Sequence, residues 1–334
     1  MSESIKLRID GVTHIPKAYL GTKIPCPPSI KVELVNSCNL KCAGCGINGR
    51  QEAGREVIDL GLFDRVIREF VDNGGHEVGL FFIGESTVKP DILLKALRIC
   101  KRNGVKYTFL TSNFTLLNPM LAGELMEEGL DSLKASINFD SPESFADGTG
   151  VKGKLWERAL ENLKAAYEVR AAHGYKTRLY ASSIKFSDEQ QAKMAPLLAK
   201  RVMPYCDEHY WLPFFSEMQS PLAEENIKRG WKANAGNQGR LDNLRPPVPC
   251  WSVFREAHLA LRKINGETRH VLSLCCFGAT DDWDCGVLDG SSFMDVWNST
   301  TAQWLREKHL SPEGDLRNTP CESCIHGTQE IAFV

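Results

Sequence analysis

The stretch SCNLKCAGC, residues 37–45, decides the reading of this chain. It follows KVELVN (31–36), a short apolar run of the kind that forms a buried β-strand. Cys38, Cys42 and Cys45 put three thiolates on one loop as Cys-x3-Cys-x2-Cys, and Ala43 and Gly44 are small enough to let that loop wrap a bulky inorganic group. The number three carries the chemistry. A structural zinc site closes with four ligands, and no histidine or fourth cysteine follows nearby. A cubane held by three protein thiolates leaves one iron open to an exogenous ligand.

Outward from the loop, short apolar runs alternate with amphipathic stretches. The runs lie at 31–36, 78–83, 106–111, 132–138, 177–184 and 208–215; helical segments lie near 59–73, 90–103, 119–129, 154–172 and 188–203. Leu155, Ala159, Leu163 and Ala166 mark one helical face, and Gly74-Gly75, Gly104 and Gly174 stand where helices stop. Six strand–helix repeats predict a parallel α/β sheet. Without a GxGxxG after the first strand, a dinucleotide-binding fold gains no support. A partial (β/α)6 barrel over 31–215 fits, with its working groups at the strands' C-terminal ends. Polar groups do gather there: Gly84-Glu85-Ser86, Thr111-Ser112-Asn113, Asn138-Phe139-Asp140 and Ser182-Ser183. Residues 1–30 read as a leader without clear period, 216–248 as a polar linker, and 249–334 as a small metal-stapled appendage.

Composition narrows the function. A formal net charge of −2 opposes a protein that neutralises many phosphates, so nucleic acid is not expected as a partner. No apolar run approaches a membrane span, and the N-terminal residues do not read as a signal peptide, so a cytoplasmic protein with no membrane partner is expected. In that reducing setting the 12 cysteines are read as metal ligands or catalytic thiols before disulfides. They cluster at the N-terminal loop and after residue 249, which points to two metal sites.

On these residues the sequence resembles the radical S-adenosylmethionine (SAM) superfamily. The resemblance implies a [4Fe–4S] cluster on Cys38, Cys42 and Cys45, with SAM chelating the open iron. Gly84-Glu85-Ser86 resembles the family's GGE motif, with Ile83 replacing the first glycine, and implies binding of the methionine amino group. Thr111-Ser112-Asn113 resembles its TNG turn, and Ser136, Asn138 and Ser182 fall where the family places polar groups near ribose or carboxylate. Strand-end capping is the alternative for those residues. The late segments PCWSVF (Cys250), LSLCCFG (Cys275, Cys276), VWNSTTAQWLRE (296–307) and PCESC (Cys321, Cys324) resemble, in order, a SPASM/twitch extension. That implies one auxiliary [4Fe–4S] cluster on Cys250, Cys275, Cys321 and Cys324. Adjacent strand residues face opposite sides, so only one of Cys275 and Cys276 is expected to ligate.

SPASM/twitch enzymes act on ribosomal peptides or on sugars and aminocyclitols. About 30 residues precede the first strand, too few for a peptide-recognition domain, so a small polar substrate, a carbohydrate or glycoside, is expected. A flavodoxin- or ferredoxin-type protein is the implied electron donor. Epimerisation requires a thiol hydrogen donor at the cavity, for which Cys276 and Cys285 are the candidates. Oxidation of a carbinol by way of the auxiliary cluster, peptide modification, and a non-catalytic zinc protein are the alternatives. Glu217 is the candidate base, and Asp281, Asp282 and Asp284 form an acidic loop near Cys285.

Overall fold

The computed structural model describes residues 4–49, 56–214, 248–276, 278, 280–312, 314–322 and 324. After a helix α1 (Ile5–Thr13), six strands run parallel: β1 (Ser29–Val32), β2 (Glu77–Gly79), β3 (Tyr107–Ser112), β4 (Ser132–Ser136), β5 (Arg178–Lys185) and β6 (Glu208–Pro213). The crossovers are α2 (Leu60–Asp72), α3 (Pro90–Arg102), α4 (Pro119–Glu127), α5 (Pro142–Thr149) with α6 (Lys154–His173), and α7 (Asp188–Leu197), which precedes β6. Local chemistry sets these limits. Asp59, Asn118 and Ser187 cap the starts of α2, α4 and α7, and Pro90, Pro119 and Pro142 occupy first turns. Gly74, Gly104 and Gly174 follow α2, α3 and α6 with φ of 98°, 78° and 68°.

Beyond Pro249 the chain supplies α8 (Trp251–Arg255), β7 (Glu256–Ile264), β8 (Glu267–Ser273), β9 (Asp284–Val287), α9 (Phe293–Trp297) and α10 (Thr300–Leu310). These three strands are not a detached appendage. β7 pairs in parallel with β1, Ser29 opposite Glu256 and Val32 opposite Leu259, and β8 and β9 follow antiparallel. One sheet results, in the order β6-β5-β4-β3-β2-β1-β7-β8-β9. The physical reason is that β1 would otherwise present an unpaired edge. The alternating residues Ala257, Leu259 and Leu261 of β7 are all buried. Side chains from β1 to β7 line a single cavity, so this part of the sheet curls into a barrel wall.

The leader also has structure that its sequence did not announce. α1 lies across the N-terminal ends of the strands. Arg8 pairs with Glu77 at the start of β2 and stacks over the Tyr107 ring, 3.2 Å from its centroid. Glu208, at the start of β6, accepts from the Ser4 hydroxyl at 2.9 Å and the Ile5 N–H at 3.1 Å. Ile5 packs with Tyr180 and Tyr210. The helix is the floor of the barrel. Among the described residues, no helix is long and apolar enough to cross a membrane.

Candidate active site

The cysteine loop sits at the opposite end, against the loops that leave β2, β3 and β4. Cys38, Cys42 and Cys45 line one cavity of about 310 Å³ together with Gly84, Glu85, Asn113, Ser136 and Asn138. Two backbone bonds staple the loop in place: Lys41 N–H donates to Thr149 O at 2.8 Å and Ala43 N–H to Gly148 O at 2.9 Å. Both acceptors belong to α5. This helix was absent from the expected elements, although its signals are present: Ser141 as cap, Pro142 in the first turn and Gly150 at the stop.

Gly84 is required by packing. A Cβ there would fall 2.0 Å from Val35 O and 3.0 Å from Ser37 O, so only glycine lets the two loops meet. The meeting is fixed by the Glu85 N–H donating to Ser37 O at 2.9 Å. The Glu85 carboxylate then accepts from Asn113 N–H (2.8 Å), Ser112 Oγ (3.0 Å), Thr87 Oγ1 (2.7 Å) and Thr87 N–H (3.2 Å). Burial raises its pKa despite these donors. Asn113 extends the lattice to the cysteine loop through Asn39 Oδ1 at 3.0 Å, and Asn39 in turn donates to Thr115 Oγ1 at 2.7 Å. Glu85 and Asn113 thus brace the loops that carry the thiols. Ser86 and Ser182 lie elsewhere than expected. The Ser86 hydroxyl donates to Leu80 O at 2.6 Å, and Ser182 is buried and bonded to the Tyr210 phenol; neither lines the cavity. Ser86 thus ties off the loop after β2, and Ser182, in the interior of β5, bonds its cross-strand neighbour.

Burial pushes the Cys38 thiol up to about 11 when no metal compensates its charge. Among the described residues, no three His, Cys, Asp or Glu side chains converge as a single-ion site. The three thiols instead ring one cavity, an arrangement that suits a cluster taking one thiolate at each of three irons.

A second cavity, of about 350 Å³, fills the barrel between this loop and α1. Gly44, Phe81, Thr111, Ile184 and Phe214 line both spaces, so they adjoin. Its wall carries Lys31, Lys134, Glu256, Tyr107, Tyr180 and Tyr210. Lys31 Nζ pairs with Glu256 at 2.7 Å, and His258 Nε2 lies 3.0 Å from the same carboxylate. Burial works against the Glu256 charge, but Lys31 and His258 outweigh it and hold the carboxyl at about 2. Burial, with Lys31 nearby, lowers Lys134 to about 8. Sequence reasoning passed over these residues. The available signal was a lysine or glutamate inside a strand run that should be buried, as in KVELVN and SLKASIN.

The late cysteines divide. The Cys276 thiol lines the inner cavity. Cys285 does not reach it: buried in β9, its thiol donates to Leu272 O at 3.1 Å, and burial pushes it up to about 12. Its expected role as hydrogen donor is therefore withdrawn, because its side of β9 faces the packed core. Cys275 and Cys276 do not alternate across a strand either. β8 ends at Ser273, and in the turn beyond it the two thiols hydrogen-bond each other. That bond, burial and the neighbouring Cys276, Cys321 and Cys324 push Cys275 well above the ordinary thiol range. Cys321, Cys324 and Cys275 are thus brought together, a donor set that fits an iron–sulfur cluster. Cys250 caps the start of α8, which Ser252 holds against this turn by donating to Leu274 O at 3.1 Å. Asp284 is paired with Arg262 at 2.8 Å, and Asp281 and Asp282 are exposed. Glu217 lies outside the described residues.

The chain thus combines a parallel partial barrel with three loop thiols at the C-terminal ends of its strands, next to an inner cavity, a donor set that would suit an iron–sulfur cluster. The family model described as the Radical SAM superfamily matches residues 32–177. That match runs from the end of β1, through the cysteine loop, to the residue before β5. Among curated relatives, a probable GTP 3′,8-cyclase of Metallosphaera sedula is 30% identical over 141 residues, 41% of this chain and 42% of that protein. The chain thus matches less than half the length of such relatives. Among solved structures, SuiB of Streptococcus suis bound to precursor peptide SuiA is similar with a TM-score of 0.59, at 15% identity, over 84% of this chain and 66% of that one. anSMEcpe with bound AdoMet is similar with a TM-score of 0.56, at 12% identity, over 85% and 84%. The fold they share with this chain includes the C-terminal extension.

Proposed function

We propose that the protein is a radical SAM enzyme that acts on a carbinol carbon of a small, sugar-like substrate and epimerises it, with Cys276 as hydrogen donor. A [4Fe–4S] cluster on Cys38, Cys42 and Cys45 with SAM would supply a 5′-deoxyadenosyl radical able to remove a hydrogen atom from carbon. A second cluster would be held by Cys275, Cys321 and Cys324 with Cys250. The chain's own residues do the rest. Glu85 and Asn113 brace the loops around the SAM pocket, and Gly84 lets the backbone close on them. α1 forms the floor of the inner cavity through Ile5, Arg8, Ile9 and Val12.

The observation that carries the reading is the place of Cys276. Its thiol and Gly44 of the cysteine loop stand on the wall of the same cavity. A hydrogen atom given by that thiol to the substrate radical, from a side other than the SAM pocket, would invert the carbon; the thiyl radical left on Cys276 would return to the thiol by taking one electron from the external one-electron donor and one proton from solvent. The aromatic faces and the Tyr107, Tyr180 and Tyr210 phenols suit a hydroxylated ring. The contact between Cys275 and Cys276 also favours a second reading, in which an auxiliary cluster beside the cavity accepts an electron and the product is a ketone.

Anaerobically reconstituted protein should hold about eight irons per chain and release 5′-deoxyadenosine under dithionite. In D2O the epimer should carry one solvent deuterium. Cys276→Ala should keep 5′-deoxyadenosine formation and lose the epimer, while Cys285→Ala should keep both. Epimer formed normally by Cys276→Ala removes the thiol-donor assignment, and ketone in place of epimer selects the oxidation reading. Zinc in place of iron, with no cleavage of SAM, rejects the whole proposal.

A further inference from the structure

The charges on the wall of the inner cavity do not balance. Among the described residues five charged side chains line it: Arg8, Lys31 and Lys134, against Glu77 and Glu256. Arg8 is taken up by Glu77 and Lys31 by Glu256. Lys134 is left over. Among the described residues it has no hydrogen bond and no ion pair, and its ammonium stands 5.7 Å from the centroid of the Tyr210 ring. Its strand position rules out an accidental surface lysine. Ser132, Lys134 and Ser136 point inward from β4, while Leu133 and Ala135 are fully buried on the other side. The nearby carboxylate, Glu256, is already engaged by Lys31, so the Lys134 ammonium on this aromatic wall has no counter-ion of its own and destabilises the ligand-free fold. Such a group persists where a ligand brings the missing charge.

We infer that the substrate carries a carboxylate, and that Lys134 receives it in the middle of the barrel. The inference rests on the proposed function for the identity of the cavity as the substrate site. A single lysine beside tyrosine phenols matches one negative charge. A phosphate would call for a helix N-terminus or a free arginine fork, and the only arginine among the described residues on this wall, Arg8, is engaged by Glu77. Cys276 and the cysteine loop lie elsewhere on the same wall, so a carboxylate anchored at Lys134 leaves the ring free to turn a C–H toward them. Within the sugar-like class the fit is to a sugar acid.

The probes are matched pairs of equal shape, glucuronate against glucuronamide and cyclohexanecarboxylate against cyclohexanecarboxamide. They are titrated into reconstituted enzyme by calorimetry. Binding of an acid about tenfold or more tighter than its amide is expected, with the preference lost in Lys134→Met and largely kept in Lys134→Arg. Lys134→Met should also raise the melting temperature of the ligand-free protein, which removal of a merely structural side chain would lower. Equal binding of acid and amide in both pairs, no binding of either acid, or a preference that survives Lys134→Met overturns the inference. Failure of Lys134→Met to fold leaves the wild-type comparison and Lys134→Arg as the test. The radical reading is judged separately, by 5′-deoxyadenosine release from the wild-type sample. Its absence alongside a firm acid preference rejects the radical chemistry and leaves the anion site, and the reverse result rejects the anion site alone.

Discussion

Replacing Gly84 by alanine should unlock the cofactor end of the barrel. The added Cβ would stand 2.0 Å from Val35 O and 3.0 Å from Ser37 O, both backbone atoms with no side-chain freedom to yield. A carbon–oxygen contact relaxes only at roughly 3.3 Å, so the loop must retreat by about 1 Å or more. That retreat stretches the Glu85–Ser37 bond, now 2.9 Å, past the hydrogen-bonding range. Overpacking of this kind costs about 1–3 kcal/mol, and the lost bond adds about 1 kcal/mol. The sum is a destabilisation of about 2–4 kcal/mol. It should appear as a lower urea midpoint with unchanged slope in the ligand-free protein under reducing conditions. Because Glu85 moves with the loop, the four bonds to its carboxylate are strained as well, and SAM affinity of the reconstituted enzyme should fall in parallel. An unfolding free energy within about 0.5 kcal/mol of wild type, with unchanged SAM affinity, would refute the argument that the close approach at Gly84 organises the site.

Two further outcomes follow from the charged pairs. Glu256→Gln leaves Lys31 enclosed without its counter-ion and should destabilise the protein by about 3 kcal/mol at neutral pH. Glu256 has a native pKa of about 2 against an ordinary 4.5, so its contribution is complete above pH 4.5 and is lost as the pH falls toward 2. The deficit of the Gln variant, measured by denaturant melts, should shrink over that window; a deficit that grows there contradicts the pairing. Arg8→Ala removes the cation paired with the buried Glu77 carboxylate and the stack on Tyr107. A loss of about 2–4 kcal/mol is expected, largely recovered in Arg8→Met/Glu77→Gln. If the double variant is no more stable than Arg8→Ala, the floor helix is not held by that pair.

The fold was legible where a residue's role depends on its immediate neighbours in the chain. Hydrophobic runs and helix-stop glycines place the six parallel strands and most crossovers within a few residues, because propensity and capping act over one or two turns. The cysteine loop declares its chemistry by spacing alone, since three thiolates on nine residues must share a site. Three things were decided only by tertiary structure. The first is the sharing of one sheet by barrel and extension, because pairing of β7 with β1 joins residues more than two hundred positions apart. The second is the fate of the two thiol candidates. Cys276 reaches the cavity because it lies in a turn past β8, whereas Cys285 is turned into the core by the antiparallel register of β8 and β9. The third is the charge of the cavity. Arg8, Lys31, Lys134, Glu77 and Glu256 come from a leader helix and four strands, and no stretch of sequence shows which of them find partners. The sequence by itself brought three thiols together on one loop, through their spacing along the chain; only the closure of the barrel decided which thiol and which amine face the inner cavity, because a curled sheet brings together side chains that the chain keeps far apart.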